Sequence, residues 1–200
     1  MMSGADRKQA ILDYAGPLFA AKGIAGCTVR NIADGVGILS GSLYHHFDSK
    51  DAIVAAIVES YLEQLTDRYR EIVKREQDPT ARLGGIILAS FSVGEDHPYA
   101  SEIYQGNRNY FADGDHFARV RQLAQKVHDT WADVIASGVE SGAFRADVNQ
   151  RVFHRFLRDA VFMATRWFKP SEAYGLEELA ADTAHIFFEG YTGHGVVPKS

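Results

Sequence analysis

An all-α fold is predicted by three observations. Apolar residues recur at spacings of three and four along nearly the whole chain, no alternating strand pattern of useful length appears, and Gly, Pro and Asp clusters separate the helical stretches. With 200 residues, 46% of them hydrophobic, and neither an internal repeat nor a low-complexity segment, the chain can bury a sizeable core.

The elements follow in order. From Asp6 to Lys22 the residues Ile11, Ala15, Leu18 and Phe19 share one face, and Gly23 supplies a stop. Pro17 removes a hydrogen bond to Asp13, so a kink is expected there. The Thr28 hydroxyl can cap a second helix, and a third begins just after Gly37. Asp48, with Asp51 three residues on, resembles a capping box that opens a long helix to Lys74, and QDPT at 77–80 breaks it. Further helices are predicted over 80–94, 99–111, 115–141, 148–168 and 176–191.

The charge is uneven. The chain carries −5 overall, yet residues 1–50 are net +1, which leaves −6 on the remainder. The first quarter thus differs electrostatically from the rest, and phosphate binding wants a positive field. The single cysteine, Cys27, excludes an intramolecular disulfide and reads as a buried thiol. MMSGADRKQAI has no signal-peptide core, and no run approaches the roughly 18 apolar residues that span a bilayer. A cytoplasmic protein without membrane contact is expected.

Residues 28–47, TVRNIADGVGILSGSLYHHF, carry the most specific pattern. Ile32 and Ala33 lie on the inner face of a short helix, Gly37 supplies a turn, and Leu43 docks a second helix ten residues after Ala33. This is helix-turn-helix spacing. With Leu43 and Phe47 inward, Ser40, Ser42, Tyr44 and His45 are left on outward or flanking faces, where hydroxyls and an imidazole suit phosphate oxygens and base edges. Gly41 allows close backbone approach, and Lys50 can place its ammonium beside a phosphate. Double-stranded DNA is the partner these residues suit.

TVRNIADGVGILSGSLYHHFDSKDAI closely resembles the DNA-binding signature of TetR-family transcriptional regulators, and ILDYAGPLFAAKGIAGCTV resembles that family's first helix. GVESGAFRADVN at 138–149 resembles the loop before the family's last long helices. The resemblance implies about nine helices: a three-helix DNA-binding head over residues 1–50, and a ligand-binding and dimerisation body over 51–200. It further implies a homodimeric repressor that leaves its operator when a small molecule enters the body. By matched position, Thr28 and Lys50 contact phosphate, Arg30 reaches phosphate or base, and Ser40, Gly41, Ser42, Tyr44 and His45 form the recognition surface. The chain departs from the family at Leu39, where serine or threonine is usual, so the cap shifts to Ser40 or is lost. Within the family, DGVGILSGSLYHHF and RFLRDAVFMATRWFKP most resemble actinobacterial repressors of steroid catabolism that respond to coenzyme A thioesters. Phe162 stands where those proteins lead one to expect tryptophan, which leaves another acyl group or another hydrophobic effector as the alternative.

The body carries two wide apolar stripes. One includes Phe153, Phe156, Leu157 and Ala160; the other includes Leu176, Ala180, Ala184, Phe187, Phe188 and Tyr191. A dimer built as a four-helix bundle would cover both, and burial inside the monomer is the alternative. Aromatics and arginines interleave at Tyr104, Arg108, Phe111, Arg121 and Trp131, and Arg158, Phe162 and Arg166 descend one flank of a helix. Apolar walls with fixed guanidinium groups suit an amphipathic anion such as an acyl thioester, and the pairing of Arg158 with Asp159 or Glu102 is the structural alternative.

Catalysis has little support. No HExxH, GxSxG, P-loop or GxGxxG motif is present, and His97, His116, His128, His154, His185 and His194 lack metal-ligand spacing. No catalytic residue, metal or cofactor is assigned. A helical adaptor without DNA binding would leave Ser42, Tyr44 and Lys50 without a role.

Overall fold

A computed structural model describes residues 4–189, and nine α-helices with two short 3-10 turns make up its regular structure. They are α1 (Gly4–Lys22), α2 (Val29–Gly35), α3 (Ser40–Tyr44), α4 (Lys50–Arg75), α5 (Pro79–Asp96), α6 (Pro98–Gly106), α7 (Ala118–Glu140), α8 (Gln150–Ala164) and α9 (Leu176–Glu189).

Most ends have local causes. Pro17 lies inside an α1 that continues to Lys22, and the chain leaves it through Gly23 at φ +72°. Thr28 caps α2 reciprocally: its hydroxyl accepts from the Asn31 amide at 3.1 Å while its own amide donates to Asn31 Oδ1 at 3.0 Å. The cap of α4 is Ser49 and not Asp48, because Ser49 Oγ accepts from the Ala52 amide at 3.0 Å.

The predicted 99–111 helix ends at Gly106, and the chain continues from Asn107 as a 3-10 turn over Arg108–Phe111. Asn107 Nδ2 donates to the Ile103 carbonyl at 2.8 Å, taking up an acceptor at the end of α6. A second 3-10 turn, Asp115–Phe117, precedes α7. α8 stops at Ala164, short of the predicted 168, and Asn149 caps its start.

The chain forms two compact units. The first combines Met1–Thr66 with Asp96–Lys126, and the second combines Asp67–Glu95 with Val127–Ser200. The first unit therefore holds the N-terminal head together with residues 51–66 and 96–126. Its core includes Ile11, Ala15, Phe19, Ile32, Ala33 and Leu43, each at most 2% exposed.

The second unit is centred on Trp131, fully buried, with Leu83, Ile87, Phe91, Leu157 and Val161. A polar line crosses this core: Trp131 Nε1 donates to Tyr69 Oη at 3.1 Å, Tyr69 Oη and Ser90 Oγ lie 2.5 Å apart, and Ser90 Oγ donates to the Ile86 carbonyl. Each of these buried groups thereby gains a partner.

Candidate nucleic-acid interface and effector-binding residues

The head is assembled around the turn between α2 and α3. Gly37 takes φ +70°, and the Ile38 amide returns to the Ala33 carbonyl at 3.0 Å. Gly35 lies against the Tyr14 ring, so a Cβ at this position would require the ring to move aside. Ile32, Ala33 and Leu43 are fully buried and seat α3 on α2.

α3 presents Tyr44, 54% exposed, with His45 and Gly41 exposed and Ser40 and Ser42 half-buried. Thr28 and Arg30 are exposed at the start of α2; the Thr28 hydroxyl also donates to Asn31 Oδ1, and Arg30 lies 3.7 Å from Asp34. Lys50 has a structural duty the sequence did not disclose. Its Nζ donates to the Ile24 carbonyl at 2.8 Å and the Cys27 carbonyl at 3.1 Å, tying the segment before α2 to the start of α4. Of the three ammonium donors, one is left for a phosphate.

The start of α4 is also held by the segment after α6. Tyr110 Oη donates to Asp51 Oδ1 at 2.5 Å, and Ser49 Oγ is 3.4 Å from His116 Nε2. Burial first, and Asp51 second, raise the Tyr110 phenol above its usual range, so it stays a donor.

The sequence-predicted ligand residues divide between the two units. In the first, Tyr104 and Phe111 are in ring contact at 5.6 Å and the Arg108 guanidinium lies over Tyr104. Arg121 donates to the carbonyls of Phe111 and Gly114, closing the turn between them. In the second, the Arg158 side chain is 14% exposed and its Nη2 meets Asp159 Oδ1 at 2.9 Å, so Asp159 and not Glu102 pairs it. Phe162 is buried, whereas Arg166 is exposed.

One turn before Arg158, the His154 ring stacks on Trp131 and lies 4.8 Å from His128. Its Nε2 is buried without a hydrogen-bond partner. Burial, then His128 and the Arg158 charge, lower the imidazole to about 4, so it is neutral at pH 7. Periodicity placed His154 on α8 without disclosing that it is buried.

Of the predicted dimer residues, Leu157 and Ala180 are 0% and 6% exposed within the single chain and pack into its own core. Phe153, Phe187 and Phe188 are half-buried and line a cleft of about 470 Å³ with Ile135, Val139 and Phe144. Leu176 and Ala184 are half-buried, Ala160 is exposed, and Tyr191 lies outside the described residues. The apolar face left open on α8 is Val152, Phe156, Met163 and, just beyond its end, Trp167, which are 42–66% exposed. Their spacing is that of one helix face.

Residues 11–57 match the bacterial regulatory proteins of the tetR family, and residues 76–191 match the tetracyclin repressor-like C-terminal domain. The chain belongs to the TetR family. As a TetR-family member it is a DNA-binding transcriptional regulator and not an enzyme, and dimerisation is typical of the family.

The chain is similar to the HTH-type transcriptional repressor KstR2 of Mycobacterium tuberculosis, at 36% identity over 190 residues and 95% of each chain. KstR2 of Rhodococcus jostii is 36% identical over 184 residues, which cover 92% of this chain and 90% of the relative. The solved structure of the ketosteroid transcriptional regulator KstR2 of M. tuberculosis superposes with a TM-score of 0.84, covering 94% of this TetR-family chain and 96% of that one. AibR, solved with isovaleryl coenzyme A and operator DNA, shares the fold at 20% identity and a TM-score of 0.77, covering 92% of this chain and all of that one. No helix among the described residues is long and apolar enough to cross a membrane.

Proposed function

We propose that this TetR-family regulator is a cytoplasmic homodimeric repressor of steroid-catabolic genes, released from its operator by a coenzyme A thioester. The observation that carries the reading is the 36% identity to ketosteroid regulators over nearly the whole chain. The nearly buried Arg158 beside an apolar core supports it, because a guanidinium donates in a rigid fork to carboxylate or phosphate oxygens.

The head of residues 1–50 binds DNA, with Ser40, Gly41, Ser42, Tyr44 and His45 toward the major groove and Thr28, Arg30 and Lys50 toward phosphates. A second copy covers the apolar α8 face around Phe156, Ala160 and Trp167 together with α9. Effector entry weakens DNA binding only through a preference for the body conformation that misplaces the two recognition helices.

The test is to add a fused-ring acyl coenzyme A thioester, and separately its free acid, to a preformed complex with promoter DNA. Release by the thioester alone, lost in Arg158→Met while that variant still binds DNA, is the expected result. Equal release by the free acid removes the coenzyme A part of the reading. A second reading, a different hydrophobic effector, is favoured by the aromatic cleft at Phe153 and Phe187. Release that survives Arg158→Met and fails in Phe153→Ala would select it.

A further inference from the structure

Leu39 sits at the N-cap of α3, with extended backbone (φ −71°, ψ 144°) and no side-chain cap. Its carbonyl starts the helix by accepting from the amides of Ser42 and Leu43 at 2.9 and 3.2 Å. The position thus has the geometry of a helix start but lacks the serine or threonine oxygen that would satisfy an exposed amide. At 82%, Leu39 is also more exposed than any other large apolar side chain among the described residues. A lone exposed leucine is ordinary, and most need no explanation. This one stands where it forgoes a cap and touches no core, beside Ser40, Gly41, Ser42 and Tyr44 on the surface assigned to DNA. Recognition helices contact base edges through their N-terminal residues, and the major-groove feature an aliphatic side chain can read is the thymine C5-methyl.

We infer that Leu39 is a specificity-determining residue that packs on the C5-methyl of one thymine in each half-site. The inference rests on the reading of α3 as the DNA-contacting element. The free protein carries the exposed leucine, and the complex removes both it and the methyl from water. Polar neighbours fix the position of α3 on the duplex, and the leucine adds a preference among bases that hydroxyls alone leave loose. Serine here would cap α3 better and discriminate less.

The experiment uses the full chain. Duplexes are selected from a random pool by wild type, Leu39→Ala and Leu39→Ser, and each thymine of the wild-type consensus is then replaced singly by deoxyuridine, which removes only the methyl. At one position per half-site, the replacement is expected to weaken wild-type binding about fourfold, the worth of one buried methyl group. Leu39→Ala and Leu39→Ser should be indifferent to the same replacement, and their selected pools should lose thymine there. Circular dichroism and thermal melting check that both variants fold; Leu39→Ser is expected to melt no lower than wild type. The inference is overturned if wild type is indifferent to deoxyuridine at every position, or if the variants lose as much as wild type does. Failure of wild type to enrich any duplex would overturn the DNA-binding role of α3 as well.

Discussion

Tyr110 donates a 2.5 Å hydrogen bond to Asp51 in the first turn of α4, joining residues 59 apart in sequence. The acceptor is a carboxylate, and bonds of this kind are worth about 1.5–3 kcal/mol when broken. Tyr110→Phe keeps the ring contacts with Phe111 and Phe117 and deletes only the hydroxyl. It should lower unfolding stability by about that amount, read as a shift in urea midpoint at unchanged m-value. No shift would show that the bond contributes nothing.

Lys50 combines two roles that mutation separates. Lys50→Met frees the carbonyls of Ile24 and Cys27 and removes a charge, so both thermal stability and DNA affinity should fall. The slope of log K against log salt should also drop by about one. Tyr44→Phe, by contrast, removes an exposed neutral hydroxyl, so it should weaken binding without changing that slope. An unchanged slope in Lys50→Met would assign the lysine to structure alone.

His154 makes a pH prediction whose sign follows from its depressed pKa, about 4 folded against about 6.5 unfolded. Because the unfolded chain takes up the proton first, the stability contributed by the neutral ring is complete above about pH 6.5 and is lost as pH falls toward 4, by at most about 1.4 kcal/mol per pH unit. The groups around it are His128, Arg158 and Asp159, and only Asp159 opposes the shift. Urea midpoints between pH 7 and 5 should fall in wild type and fall less in His154→Phe. A residual slope is expected, because burial also lowers His97. Equal slopes in the two proteins would count against the account of this ring.

The apolar α8 face and the α8 core separate association from folding. Phe156→Glu places a charge on a residue 64% exposed in the single chain, so the fold should survive while the dimer dissociates in sedimentation. Leu157→Ala should instead cost about 2–5 kcal/mol of stability, as buried leucines do. A dimeric Phe156→Glu would move the interface off this face.

Much of this was legible in the sequence, and the exceptions have physical causes. The helices, the Thr28 cap and the Gly37 turn are local features, set by residues within a few positions of one another. Aromatic periodicity runs through the break at Asn107, where the backbone leaves the helical region (φ −131°, ψ 35°) and the side chain bonds the Ile103 carbonyl. The α8 stripe was read as one wide surface, yet its two edges differ: Leu157 faces its own core and Phe156 faces outward. Period alone cannot rank two apolar edges when both a core and a partner want one. Lys50 shows the same limit: a basic residue at a helix start reads as a phosphate ligand, and only the fold shows that it also bonds the carbonyls of Ile24 and Cys27.

Footprinting of wild type and Tyr44→Ala on the promoter of a gene the protein represses tests the central claim most directly. Wild type should protect a two-fold symmetric site whose half-sites lie about one helical turn, or a small multiple, apart, and Tyr44→Ala should lose that protection at the same concentration. Protection without two-fold symmetry, or an unchanged footprint with Tyr44→Ala, would contradict a dimer that reads DNA through α3.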